Sequence, residues 1–470
     1  MKGYLLIDFG STYTKLTAVD IENEVILGTA KAITTVEDDI MIGFNKAYAE
    51  LQSKLKDKKV DFVKKLACSS AAGGLKMVAI GLVPELTAEA AKRAALGAGA
   101  RVMHVYSYDL SSKEMEEIKN SKPDMILLAG GTDGGNKECI IGNAKLLAKS
   151  GMDIPIVVAG NKVAEDEISK ILEDAGMFYK VAENVMPKLN TLNVEPAREE
   201  IRKIFMEKIV EAKGMKNAEN YINGILMPTP AAVLKAAKTL SLGSDKEEGI
   251  GDLVVVDIGG ATTDVHSLAD GEPTKPAVTL RGLQEPFAKR TVEGDLGMRY
   301  SAVSLWEAAS TKRVLKYLDD KSIDIEAGCK YRSENIKMIP DNERDIKFDE
   351  AMAKVATEMA MERHVGVLTS VYTPCGVVYS QIGKDLLNTK YLIGTGGVLV
   401  HSENPEEILK AGIFTTEDPM HLKPKNPEYL IDRSYILSAM GLLSEEYPDI
   451  AVRIMKKYLV NTKKICCITK

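Results

Sequence analysis

GDLVVVDIGGATTDVHSL, residues Gly251 to Leu268, decides how the rest of this 470-residue chain is read. Leu253 to Val256 is a short, largely β-branched run, the pattern of a strand buried on both faces. The run ends at Asp257, the chain turns at Gly259-Gly260, and Ala261 to Val265 leads away as a second extended segment. Two glycines in such a turn let backbone N–H groups approach a phosphate with no Cβ in the way. Thr262 and Thr263 add hydroxyl donors, and Asp257 stands at the strand end. There it could hold a water of hydrated Mg²⁺, an ion that binds through few carboxylates. The competing reading is a plain hairpin with a glycine turn.

The same design occurs at the N-terminus. Tyr4 to Ile7 is apolar, followed by Asp8-Phe9-Gly10-Ser11-Thr12-Tyr13-Thr14-Lys15 and a further extended run, Leu16 to Val19. Strand, aspartate, glycine, Ser/Thr-rich turn and strand, twice over, predict two related half-domains, each offering a phosphate-binding hairpin to a shared cleft. Neither hairpin matches GxxxxGK[ST], which excludes a P-loop.

These two stretches, DFGSTYTK and DIGGATTD, resemble the phosphate-1 and phosphate-2 motifs of the actin, sugar-kinase and heat-shock-chaperone ATPase superfamily. That resemblance implies an α/β fold of duplicated actin-like (ribonuclease H-like) half-domains around a nucleotide cleft. It also implies a glycine turn near the adenosine, which Tyr391 to Val398 supplies as an apolar run ending in Gly394-Thr395-Gly396-Gly397. Pro228 to Val233 resembles the superfamily's first connecting helix, and Ser434 to Leu443 could be the second.

Composition agrees with a soluble globular protein of two to four domains. A net charge of −6 with no dominant basic stripe argues against a nucleic-acid partner. No uncharged apolar run is long enough for a bilayer and no signal-peptide pattern opens the chain, so no membrane partner and a cytoplasmic location are expected. Six scattered cysteines make no disulfide framework, and no CxxC or HExxH spacing occurs. Cys466-Cys467 is geometrically poor for one structural metal.

Along the chain, residues 1–75 read as the first half-domain. In it, Val25 to Ala30 is a third strand, Glu37 to Leu55 a helix, and Leu66 to Gly74 a strand running into a glycine turn. Residues 76–220 then alternate strands (76–83, 101–107, 125–129, 154–158, 178–181) with helices (88–96, 111–119, 138–149, 165–173, 196–213), which predicts a large inserted α/β module with a parallel sheet. Within it, Gly130-Gly131-Thr132-Asp133-Gly134-Gly135-Asn136 is either an anion or partner-backbone site or a tight βα turn. Residues 221–250 hold the first connecting helix and a linker, and 251–470 the second half-domain. There Ala277 to Arg281 is expected to extend the hairpin sheet, with helices over 301–318 and 349–364. Val365 to Ser380 and Gln381 to Leu387 are expected to add strand and then helix. Glu293 and Asp295 precede the first of those helices and, by the superfamily resemblance, would border the nucleotide.

More specifically, DFGSTYTK, ACSSAAGG, LAGGTDGGN, MPTPAAV, DIGGATTDVHS, VEGDLGMR and IGTGG together closely resemble the glutamate-mutase accessory family called MutL or GlmL, unrelated to the mismatch-repair protein of similar name. Membership implies an ATP-binding reactivating chaperone for an adenosylcobalamin-dependent mutase, using ATP-driven domain motion to release damaged cobalamin, and a slow Mg²⁺-dependent ATPase. It implies ATP/ADP and Mg²⁺ as cofactors, the mutase as partner, and allows a homodimer. By this resemblance Asp8 and Asp257 hold Mg²⁺ through water, and Gly10, Ser11, Thr12, Gly259, Gly260 and Thr262 cradle phosphates. Thr14, Lys15 and Thr263 are neighbours, Asp264 orients a water, and Gly394, Thr395, Gly396 and Gly397 border adenosine. One departure stands out: Met227 occupies the position where heat-shock-type relatives carry a water-positioning carboxylate, so the base is Asp264, Glu293 or Asp295, or hydrolysis is slow. The alternatives are a small-molecule kinase of the same superfamily, a filament former and, lacking convincing cluster cysteines, a dehydratase activator.

Overall fold

The computed structural model describes all residues except 36–38, 56–57, 71–73, 210–221, 224, 375 and 466–470. Cys466 and Cys467, part of the glycine turn expected near residue 72 and the end of the helix expected to reach Lys213 therefore lie outside the described residues. The chain forms two compact units. One comprises Met1–Lys235, Gly282–Pro286 and Ser438–Glu445; the other comprises Ala236–Arg281, Phe287–Leu437 and Glu446–Lys470.

The first unit opens with β1 (Lys2–Phe9), β2 (Tyr13–Asp20), β3 (Val25–Ile33), α1 (Ile40–Lys54) and β4 (Asp61–Ser69). It continues with β5 (Lys76–Gly81), α2 (Glu89–Gly97), β6 (Arg101–Ser107), α3 (Ser112–Ser121), β7 (Met125–Leu128), α4 (Glu138–Lys149), β8 (Ile156–Val158), α5 (Glu165–Asp174), β9 (Tyr179–Val181), α6 (Glu195–Ile204) and β10 (Ile225–Pro228). Local chemistry sets several of these bounds. Asp39 accepts the Met41 N–H at 2.9 Å and starts α1. Ser111 and Glu114 form a reciprocal capping box that starts α3.

Two sheets result. The first has the order β10-β4-β1-β2-β3, with β1 antiparallel to β2, β2 antiparallel to β3, and β4 and β10 parallel to β1. The second is wholly parallel, in the order β6-β5-β7-β8-β9. Its central strands β5, β7 and β8 are apolar on both faces because both are covered. Met77, Ala79, Leu127 and Val157 share one core with α2, α6 and the first sheet's Leu5, Ile7 and Leu16. Val78, Ile80, Ile126, Leu128, Ile156 and Val158 face α3, α4 and α5.

The chain passes into the second unit within α7 (Thr229–Leu242). A two-residue pair, β11 (Gly243–Ser244) and β12 (Glu247–Glu248), precedes β13 (Leu253–Ile258), β14 (Thr263–Leu268), β15 (Val278–Arg281) and β16 (Ala288–Glu293). Next come α8 (Ala302–Leu315), α9 (Ile325–Glu334), α10 (Glu343–His364), β17 (Val367–Thr373), β18 (Gly376–Ile382), β19 (Tyr391–Thr395), α11 (Gly397–His401), α12 (Pro405–Leu409) and β20 (Glu428–Ile431). The described chain closes with α13 (Leu437–Leu443), α14 (Pro448–Tyr458), β21 (Val460–Asn461) and α15 (Thr462–Ile465). The main sheet here has the order β16-β14-β13-β19-β20-β21. Its first three strands in sequence are antiparallel, and β19 and β20 run parallel to β13. Numbered from each unit's own first strand, both sheets thus read 3-2-1-4-5, with β21 as an added edge.

Two expectations for this unit are corrected. Residues 277–281 do not extend the hairpin sheet: β15 lies parallel beside β18 in a separate three-stranded sheet with β17. The hairpin sheet instead takes β16, whose Ala288 and Arg290 are buried, whereas Leu280 is 46% exposed. Nor is 381–387 a helix. Gln381 and Ile382 complete β18, Gly383 takes a φ of +85°, and the Asp385 carboxylate accepts the Leu387 and Thr274 N–H groups. That side-chain capture of the backbone makes a turn and competes with helix formation.

Behind β14, a fully buried His364 hydrogen-bonds Ser267 Oγ through Nε2 and Thr291 Oγ1 through Nδ1, each at 2.8 Å. Burial holds both neighbouring histidines neutral, with the pKa of His266 pushed down to about 3 and that of His364 well below the usual value. In the unfolded chain both titrate near 6.5, so below that pH the unfolded state binds more protons. Stability is therefore fully present above about pH 6.5 and falls with acidification, with a limiting slope of roughly 1.4 kcal/mol per pH unit per histidine. Urea melts at pH 7.0 and 5.2 are expected to show this loss before most carboxylates protonate; equal midpoints would contradict it.

Candidate functional site

In the first unit, register fixes the geometry around Asp8, which pairs with Lys15 across β2 and with Cys68 across β4. After β1 the chain reverses through a turn closed by the Gly10 N–H donating to Tyr13 O at 3.1 Å. A Cβ on Gly10 would stand 2.6 Å from that same oxygen, so only glycine fits. The turn's carbonyls are tied back: Thr34 donates to Gly10 O from its hydroxyl (2.9 Å) and to Thr12 O from its N–H (2.9 Å). Thr14 Oγ1 lies 3.1 Å from the same Thr34 hydroxyl. Asp8 itself is buried. Its Oδ1 accepts from Thr229 Oγ1 at 2.7 Å, its Oδ2 accepts from Ser438 Oγ at 3.1 Å, and Lys15 Nζ lies 3.7 Å from Oδ2.

The second unit repeats the construction. Asp257 pairs with Asp264 across β14 and with Thr395 across β19. Its turn is closed by the Gly259 N–H donating to Thr262 O at 2.9 Å, the oxygen a Cβ on Gly259 would also meet at 2.9 Å. The carbonyls are again tied back from behind. Met298 N–H donates to Gly259 O (3.0 Å), Arg299 N–H to Gly260 O (2.8 Å) and Ser301 Oγ to Ala261 O (2.7 Å). Thr263 is fully buried and donates to Leu296 O at 2.6 Å. A turn whose carbonyl oxygens are satisfied by its own protein presents few acceptors to repel an anion.

The remaining expected residues divide among distinct contacts. Asp264 accepts from Arg290 through Nε (2.8 Å) and Nη2 (2.5 Å) and from Thr262 Oγ1 (3.0 Å), a buried ion pair bracing the hairpin. Glu293 and Asp295 both receive Arg363, at 2.8 and 2.7 Å, and the guanidinium holds the Asp295 carboxyl below its ordinary value. Gly396 has a φ of +93°, and a Cβ there would stand 2.3 Å from Ile258 O, so the Gly394–Gly397 turn seats directly on the end of β13. Met227 is buried beside Cys68 in the β10–β4 ladder, where it fills core.

Sequence reading missed three contributors. Thr229 and Ser438 lie in the two stretches resembling connecting helices, but only the folded chain carries their hydroxyls to Asp8. Asp432 accepts the Ile436 and Leu437 N–H groups at 2.9 and 3.1 Å, and Thr395 Oγ1 lies 3.4 Å away. An aspartate after an apolar run and just before a helical stretch is a start signal that could have found it.

The GGTDGGN loop after β7 is tied down from inside. Asn161 donates to Gly135 O and Asn136 O and accepts from the Gly134 N–H, while Asn184 donates to Gly131 O. The adjoining cavity of about 490 Å³ is lined by Asp133, Glu165 and Glu183 against one cation, Lys162. That balance disfavours an anion and leaves the tight βα turn as the better reading.

Two 3-2-1-4-5 sheets, each with a strand-end aspartate leading into a glycine turn, define a duplicated ribonuclease H-like α/β fold of the actin type. The chain belongs to the MutL family: the family model described as MutL protein matches residues 4–459. Protein MutL of Clostridium tetanomorphum is 77% identical over 460 residues, covering 98% of this chain and 100% of that one. Among solved structures, the chain is similar to ethanolamine utilization protein EutJ from Carboxydothermus hydrogenoformans (11% identity, 94% of this chain and 88% of that one, TM-score 0.28). It is also similar to an activator of 2-hydroxyisocaproyl-CoA dehydratase from Clostridium difficile with bound ADPNP (8%, 97% and 97%, TM-score 0.31). A third is ligand-bound xylulose kinase from Lactobacillus acidophilus (11%, 100% and 96%, TM-score 0.36). At these scores the fold rests on strand order and not on the likenesses.

Replacing Gly396 by alanine forces a Cβ against Ile258 O at positive φ and is expected to cost about 2 kcal/mol or more of second-unit stability. A denaturant melt with an unchanged midpoint would contradict the seating of this turn on β13.

Proposed function

We propose that this chain is an ATP-binding accessory protein of an adenosylcobalamin-dependent mutase of the glutamate mutase type, a reactivating chaperone whose nucleotide cycle drives release of damaged cobalamin. The observation that carries the nucleotide half is the duplicated turn. In each unit a glycine follows a strand-end aspartate and the turn's carbonyls are engaged by the protein behind them.

In this reading Gly10, Ser11, Thr12, Gly259, Gly260 and Thr262 contact phosphate oxygens, and Asp8 and Asp257 hold Mg²⁺ through water. The donor set fits the ion. Asp8 accepts one hydroxyl at each oxygen and keeps lone pairs for metal-bound water. MgATP, when bound, supplies a γ-phosphate whose loss removes contacts favouring the bound conformation. With Met227 in the core, Asp264 paired with Arg290, and Glu293 and Asp295 paired with Arg363, each acid named as a possible base is engaged by a cation, which fits slow turnover suited to a switch. The partner half rests on family membership and on an exposed apolar hairpin. Tyr372 is 83% exposed opposite Val377; Val377, Val378, Tyr379 and Ile382 of the same hairpin are exposed as well, and no charged residue occurs from Val367 to Ile382.

Asp257→Ala is expected to weaken MgATP binding at least about tenfold in calorimetry, the scale of 1.4 kcal/mol. Unchanged binding would overturn the metal assignment. Mixed with cyanocobalamin-poisoned glutamate mutase and MgATP, the protein is expected to restore turnover. No recovery, with labelled γ-phosphate appearing instead on a metabolite, would replace the chaperone reading with a kinase.

A further inference from the structure

We propose that Thr229 and Ser438 are positioning residues for Asp8, and that through them one carboxylate is fastened to the starts of both helices, α7 and α13, at which the chain passes between its compact units. This inference rests on the reading of Asp8 as a metal-water ligand and says what holds it in place.

Asp8 is 5% exposed, so its two oxygens need donors. Oδ1 takes the hydroxyl of Thr229 at 2.7 Å, and Thr229 is the first residue of α7. Oδ2 takes the hydroxyl of Ser438 at 3.1 Å, and Ser438 is the second residue of α13. Unit boundaries fall within both helices: the chain leaves the first unit between Lys235 and Ala236 inside α7, and returns to it between Leu437 and Ser438 at the start of α13. Hydroxyl-to-carboxylate bonds are charge-assisted and directional, so together they fix the carboxylate plane.

Three further contacts make the arrangement specific. A Cβ on Gly441 would stand 1.9 Å from Ala232 O, so α13 lies against α7 with no room for a side chain. A Cβ on Gly99 would come within 3.0 Å of the Ala231 N, bracing the same turn of α7 from another side. Cys68 Sγ lies 3.7 Å from both Asp8 Oδ1 and Thr229 Oγ1, so its buried side chain packs against the same bond. Neither helix start can shift without disturbing a bond to Asp8. Conversely, a change in what Asp8 holds is felt at both.

The test measures nucleotide affinity with Mg²⁺ and with EDTA for the full chain and for Thr229→Val, Thr229→Ser and Ser438→Ala, using ATPγS. Thr229→Val and Ser438→Ala are each expected to weaken binding in Mg²⁺ by roughly tenfold, the scale of one hydrogen bond to a charged group. Both should leave binding in EDTA within about twofold, because only the metal-dependent share runs through Asp8. Thr229→Ser, which keeps the hydroxyl, should restore the Mg²⁺ dependence. Equal losses with and without Mg²⁺, no loss in either variant, or no rescue by serine would overturn the proposal. If the unaltered chain itself binds ATPγS with no Mg²⁺ dependence, the metal role of Asp8 falls first, and that outcome is distinct from a failure of its hydroxyl partners. Ser438→Ala removes one oxygen atom and no methyl group, so it keeps the test open should Thr229→Val fold poorly.

Discussion

A glycine amide reaching forward three residues to a carbonyl, just after a strand-end aspartate, is the interaction on which both units depend. Gly10 N–H to Tyr13 O and Gly259 N–H to Thr262 O close the same turn in two sheets of the same strand order. A side chain at either glycine would collide with the oxygen its own amide must reach. Around each turn the protein contributes what the turn lacks. Thr34 engages its carbonyls in one unit, and the 298–301 segment does so in the other. A loop otherwise rich in acceptors becomes one whose acceptors are used from behind.

The duplicated units have diverged in what stands beside each aspartate. Asp8 faces Lys15 and Cys68, whereas Asp257 faces Asp264 and Thr395. A lysine in one place and a carboxylate in the other give the two turns different charge, and the second is rebalanced by Arg290. Asp264 therefore has a structural task that its exposure-blind sequence position could not reveal. The pairing of Glu293 and Asp295 with Arg363 belongs to the same class: acids that look available in sequence are joined by a cation from a distant helix.

Much of the fold was legible because its determinants are local. The inserted sheet announces itself through apolar strands alternating with amphipathic helices, and 101–107 and 138–149 match β6 and α4 residue for residue. The strand-Asp-Gly hairpins were legible because glycine and aspartate each have a local steric or hydrogen-bonding reason to be there. What sequence could not show was long-range pairing. Residues 277–281 look like a meander strand until Val278 pairs with Tyr379, about a hundred positions away, and 288–293 takes the place beside β14. Likewise nothing near Asp8 in sequence names Thr229 or Ser438; their hydroxyls arrive through topology.

The proposed function asks both copies of the turn to contact the phosphates of a bound nucleotide. A crystal structure of the protein with Mg²⁺ and a non-hydrolysable ATP analogue tests it most directly. The account predicts one nucleotide per chain, its phosphate oxygens within hydrogen-bond distance of amides from both the Gly10–Thr12 and the Gly259–Thr262 turns. A nucleotide bound to one turn alone, or elsewhere on the protein, would contradict it.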